Sequence, residues 1–165
     1  MLRRAILQIG TEKTGTTTLQ QFLALNRDIL AQRGYRYPRF CGERNHTGLA
    51  AYALDPAKTD TIREPFGARS AAEVPAMRTR MQRAAQAELG DAATAIFCSE
   101  HCHSRLTSPS EVATLRAFLA EFFDDVQVCV YLRRQDHVAL SLYSTSLKSG
   151  GVSPCLLPVT DPDNA

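Results

Sequence analysis

The stretch that most constrains this chain is Gly10-Thr11-Glu12-Lys13-Thr14-Gly15-Thr16-Thr17-Thr18-Leu19, a loop set between a short apolar run and a helical pattern. A loop running from strand into helix aims several backbone N–H groups at one spot, at the positive end of the helix dipole. A phosphate-like anion fits there. The hydroxyls of Thr14, Thr16, Thr17 and Thr18 add donors, and Lys13 adds a charge.

The rest of the chain repeats the alternation of short apolar runs with helical periodicity. This predicts an α/β fold, a three-layer α/β/α arrangement around a mostly parallel sheet. Strands are expected at 5–9, 35–38, 94–99 and 126–132, and helices at 16–32, 46–54, 71–89, 108–122 and 136–148. The helix from 108 has a start signal: Ser108 as N-cap, Pro109 at the first position and Glu111 at the third. The run 126–132 is apolar nearly throughout, as a central parallel strand should be. Residues 55–68 carry Pro56, Pro65 and Gly67 and read as loop.

A length of 165 residues allows one domain, expected over 1–150, with an irregular proline-containing tail over 151–165. That tail suggests a chain truncated before its last elements. The balance of 19 Lys+Arg against 17 Asp+Glu argues against a nucleic-acid partner but leaves room for one local anion site. No 18-residue apolar window exists, so no membrane span is expected. The five cysteines sit mostly in apolar runs with no secretion signal before them, so reduced thiols and a cytoplasmic location are expected.

The glycine spacing of the loop resembles a P-loop, yet fails the Walker pattern: Thr16 stands where lysine should follow the second glycine. A triphosphate with Mg²⁺ would lose its usual charge partner. The segment Lys13-Thr14-Gly15-Thr16-Thr17-Thr18-Leu19 is instead similar to the 5′-phosphosulfate loop of sulfotransferases that use 3′-phosphoadenosine 5′-phosphosulfate (PAPS). The resemblance implies a P-loop nucleoside-triphosphate-hydrolase-like fold. It implies that Lys13 binds the phosphosulfate and meets charge on the bridging oxygen, while Thr14, Gly15, Thr16, Thr17 and Thr18 hold the 5′-phosphate.

The same family has a second signature, a strand followed by Arg and, eight residues later, Ser on the next helix. Val128-Cys129-Val130-Tyr131-Leu132-Arg133 leads to Ser141 with that spacing. The resemblance implies that Arg133 and Ser141 contact the 3′-phosphate, with Arg134 an alternative to Arg133. An arginine at a strand's carboxyl end faces the crevice where ligands bind, and its fork suits phosphate.

Sulfuryl transfer needs a base for the acceptor hydroxyl or amine. Glu100, after the strand Ile96-Phe97-Cys98-Ser99, is the first candidate, His101 the second, and His46 the third, with His137 less suited. Cys98, His101, Cys102 and His103 lack a Cys-x-x-Cys pair and a second ligand pair downstream, so no metal is expected. A small-molecule or carbohydrate acceptor and a homodimer are further expectations. The competing readings are a kinase- or NTPase-like nucleotide binder and a truncated, non-catalytic sulfotransferase remnant.

Overall fold

Strand-to-helix alternation dominates the computed structural model, which describes residues 2–90 and 92–152. Strands β1 (Arg4–Gln8), β2 (Tyr35–Arg36), β3 (Thr94–Cys98) and β4 (Asp125–Cys129) form one sheet in the order β2-β3-β1-β4, with every pair parallel. Gln8 is level with Cys98 on one side and Cys129 on the other, so three strands end together. The helices are α1 (Thr16–Leu25), α2 (Arg27–Gln32), α3 (Thr47–Ala53), α4 (Val74–Leu89), α5 (His101–Ser104), α6 (Pro109–Ala120) and α7 (Gln135–Lys148). The protein is thus mixed α/β with an all-parallel four-stranded sheet. No helix of the described residues is long and apolar enough to cross a membrane.

Alternate residues of β3 feed two cores, as the two-residue period of a strand requires. Ala95 and Phe97 join the larger one, with Ala5 and Leu7 of β1, Leu49 of α3, Met77 and Met81 of α4, and Phe118 of α6. Ile96 and Cys98 face a smaller one with Leu23 of α1 and Tyr37. Burying a side chain such as Phe97 contributes about 2–3 kcal/mol.

Helix α1, after β1, and helix α6, after β3, therefore cover opposite faces. Handedness demands it. The chain moves from β1 toward β2 but from β3 toward β4, in opposite directions, and both crossovers are right-handed only if their helices take opposite faces. The loops leaving β1 and β3 diverge, which opens a crevice at their carboxyl ends.

Several elements depart from expectation. The 16–32 pattern breaks in two at Asn26, whose side-chain amide donates to the Phe22 carbonyl. Leu23 is buried, but Phe22 and Leu25 are 59% and 77% exposed, because Thr16 and Gln20 take the inward face beside it. Residues 55–68 hold a 3₁₀ helix, Thr61–Phe66. Buried Arg63 pins it by donating to the carbonyls of Ala51, Leu54, Asp55 and Lys58. Strand β4 is not central: it ends the sheet, and Val128 is 59% and Leu132 80% exposed. Its apolar run matches a buried strand in composition, but among the described residues nothing pairs with its outer edge. Helix α7 likewise has no buried residue. Of the expected tail, residues 153–165 lie outside the described residues.

Candidate functional site

The site begins where the β1–β4 ladder continues past both strands. Ile9 N–H donates to the Cys129 carbonyl, Tyr131 N–H to Gly10 at 2.7 Å, and Thr11 N–H to Tyr131 at 3.0 Å. These bonds fasten the glycine loop to the segment that carries Arg133. On the other side Gly10 meets β3: a Cβ on Gly10 would lie 3.2 Å from the Cα and Cβ of Glu100, and its φ is +113°. The buried Gln8 side chain braces the turn, donating to the Gly10 carbonyl and accepting from the Cys98 thiol.

Gly15, at φ +86°, is the N-cap of α1 and supplies no side-chain cap. The amides of Gly15, Thr16 and Thr17 donate to no protein acceptor among the described residues. A helix start left uncapped in this way presents free donors and a partial positive charge. A cavity of about 280 Å³ lies there, lined by Glu12, Lys13, Gly15, Thr16, Thr17, Glu100 and His101. That is near the small end for a ligand site. Thr14 turns its hydroxyl into the loop, onto the Thr11 carbonyl at 2.6 Å, and Thr18 does not line the cavity. Glu12 adds a carboxylate that opposes an anion.

Lys13 and Arg133 each tie the glycine loop to the segment that follows β4, and of the two only Lys13 lines the cavity. Lys13 Nζ donates to Thr145 Oγ1 on α7 at 2.6 Å. The Arg133 guanidinium donates to the Lys13 carbonyl at 3.0 Å. Arg134 points elsewhere, both nitrogens of its fork bonded to the Asp136 carboxylate at 3.1 and 2.6 Å. Ser141 lies one turn before Thr145, and the Thr145 hydroxyl donates to its carbonyl.

On the β3 side, each carboxylate oxygen of Glu100 takes one amide N–H: Gln20 Nε2 at 2.7 Å and Asn45 Nδ2 at 3.1 Å. His101 lines the same cavity, and its Nδ1 is buried with no hydrogen-bond partner. His46 is different. It is fully buried, Nε2 donates to the Pro38 carbonyl at 2.8 Å, and Nδ1 accepts from Cys98 N–H at 3.1 Å. Burial pushes its pKa down to about 3. Neutral and with both nitrogens engaged, it packs 4.4 Å from the Tyr37 ring and has no free nitrogen for an acceptor proton. His137 is exposed, 3.8 Å from Asp136. Burial also pushes the Cys98 and Cys102 thiols up to about 12, which leaves them protonated and poorly nucleophilic. Among the described residues no group of three His, Cys, Asp or Glu could hold a metal ion.

Compared with known proteins, the chain matches no family model, no curated protein and no solved structure.

Three side chains of the site escape a reading by motif: Gln20, Asn45 and Thr145. Two of them leave a signal. Gln20 stands four residues after Thr16, and Thr145 four after Ser141, so each shares a helix face with a residue the motif does pick out. Asn45 sits in an irregular segment and leaves none.

Proposed function

We propose that this chain is a sulfotransferase on a P-loop-like sheet, moving a sulfuryl group from PAPS to an acceptor hydroxyl. The observation that supports the reading is the contact of the Arg133 guanidinium with the Lys13 carbonyl, in the loop that leads into the uncapped start of α1. The donor fits the residues present. The free amides of Gly15, Thr16 and Thr17 suit its 5′-phosphate, Lys13 the phosphosulfate, and Arg133 with Ser141 the 3′-phosphate.

When bound, the donor supplies sulfur joined to a phosphate oxygen. The acceptor oxygen attacks sulfur, the bond from sulfur to that phosphate oxygen breaks, and its electron pair stays with the phosphate. Lys13 and the loop amides stabilise the charge that develops there, which is where preorganised donors accelerate a reaction most. Glu100 takes the acceptor proton. Its two amide contacts fix the carboxylate's orientation without neutralising it. His101, on the same cavity, is the second candidate for this proton. His46 does not suit that role, because both its nitrogens are occupied.

Calorimetric titration with adenosine 3′,5′-bisphosphate and, separately, ATP–Mg²⁺ tests the reading. The bisphosphate is expected to bind at least tenfold tighter. Tighter ATP–Mg²⁺ binding would move the chain to the kinase or NTPase class. Bisphosphate binding without sulfuryl transfer to any of a broad acceptor panel would favour a non-catalytic binder.

A further inference from the structure

A second cavity, of about 360 Å³, opens beside the first and is lined by Thr17, Gln20, Arg44 and Asn45. Thr17 lines both cavities. Glu100 stands at the partition: it lines the first cavity and is held by the amides of Gln20 and Asn45, which line the second. A base for an acceptor hydroxyl belongs at such a junction, with the donor on one side and the acceptor on the other.

Two polar groups of the lining have no partner among the described residues, one buried and one exposed. Asn45 Oδ1 is buried with no hydrogen-bond partner. A buried carbonyl oxygen without a donor is costly, and a bound hydroxyl would satisfy it. The Arg44 side chain makes no hydrogen bond or ion pair with any described residue. Glu43, its neighbour in sequence, is already committed to Arg27 and Arg39. The Arg44 main chain is nevertheless fixed, because the Tyr37 hydroxyl donates to its carbonyl at 2.5 Å. The guanidinium thus stands at the cavity on an anchored backbone with no counter-charge of its own.

We propose that this second cavity is the acceptor subsite, and that it selects a hydroxylated acceptor carrying a carboxylate or similar oxyanion. Arg44 holds the anionic group and Asn45 Oδ1 takes a hydroxyl. This rests on the transferase reading above for the role of Glu100, but not for the binding itself.

The test is a matched pair of sugars that differ only in the carboxylate: p-nitrophenyl β-glucuronide and p-nitrophenyl β-glucoside. Their affinities are measured by ligand-observed NMR on the wild-type chain, on Arg44→Ala and on Asn45→Ala, with circular dichroism to confirm folding. Arg44 is exposed, so its removal should leave the fold intact. The glucuronide should bind the wild type about tenfold tighter than the glucoside, the worth of one charge-assisted contact. Arg44→Ala should erase that preference, and Asn45→Ala should weaken both sugars. In Arg44→Ala, affinity for adenosine 3′,5′-bisphosphate should not change. Equal binding of the two sugars by the wild type, no detectable glucuronide binding, or a preference that survives Arg44→Ala would overturn the proposal. Loss of bisphosphate binding in Arg44→Ala would also count against it, by placing Arg44 on the donor side. An Arg44-dependent preference in a chain that never binds the bisphosphate would keep the subsite and sink the transferase reading.

Discussion

The guanidinium of Arg133 reaches the main-chain carbonyl of Lys13 at 3.0 Å, from 120 positions away in the chain. Parallel pairing of β1 with β4 makes this possible. Two strands that run the same way and end level, Gln8 beside Cys129, deliver their following loops to the same end of the sheet.

Arginine 133 and its neighbour should behave differently on substitution. Arg134 spends its fork on Asp136, whereas Arg133 faces the glycine loop. Arg133→Ala is expected to weaken adenosine 3′,5′-bisphosphate at least tenfold and Arg134→Ala at most about twofold, consistent with the loss of one charge-assisted contact. Calorimetry on both variants reads this directly. Equal losses would remove the distinction.

Lysine 13 should matter more to turnover than to binding. The role proposed for it is to meet charge on the leaving oxygen, and removing one such donor costs about 10²–10³ in kcat. Lys13→Met should show that drop with no more than a few-fold change in bisphosphate affinity. Matching losses in both quantities would assign it to uniform binding instead.

Gly10 has no room for a side chain. Its φ of +113° and the 3.2 Å approach to the Glu100 backbone both oppose a Cβ. Gly10→Ala is expected to cost about 2 kcal/mol and to lower the melting temperature accordingly. An unchanged melting temperature would show that the turn relaxes freely.

Acid should unfold the protein through two buried groups. Burial pushes the Glu111 carboxyl up, but hydrogen bonds from Lys58, the Asp55 N–H and Ser108 outweigh it and bring the pKa down to about 2. The folded value lies below the ordinary 4.5, so this stabilisation is complete above pH 4.5 and fades as pH falls toward 2. His46 refuses a proton in the folded state until about pH 3, whereas the unfolded chain accepts one near 6.5. Its contribution therefore begins to fade first, below about pH 6.5. Urea titrations at pH 7, 5 and 3.5 should show a stepwise loss of stability. Glu111→Gln should cost about 2–3 kcal/mol at pH 7 and flatten the loss below pH 4.5. A wild-type midpoint that does not move over this range would exclude both groups.

Local signals in the sequence translated well. Ser108 caps α6, Pro109 follows it, and the Glu111 side chain closes the box. The parallel α/β pattern and the strand-to-helix position of the glycine loop are likewise visible in the order of residues. What failed depends on neighbours. The run at 126–132 has the composition of a buried strand, yet nothing in that composition says whether a further strand stands beside it. Glu111 reads as a helix cap, but its contacts with Lys58 and Asp55, 53 and 56 positions away, exist only once the chain has folded. His46 reads as a candidate base because histidine is a common one; its burial between Tyr37 and Phe97 is a tertiary fact. Asn45 becomes visible only through Glu100.

The backbone ladder that runs on from β1 and β4 through Ile9, Gly10, Thr11 and Tyr131 works as a gauge cut into the protein. Because main-chain atoms make it, side-chain replacement along either segment, Gly10 excepted, alters which chemical groups are displayed but not the span between them. Such a frame lets the displayed groups change over evolutionary time while the two loops keep their separation.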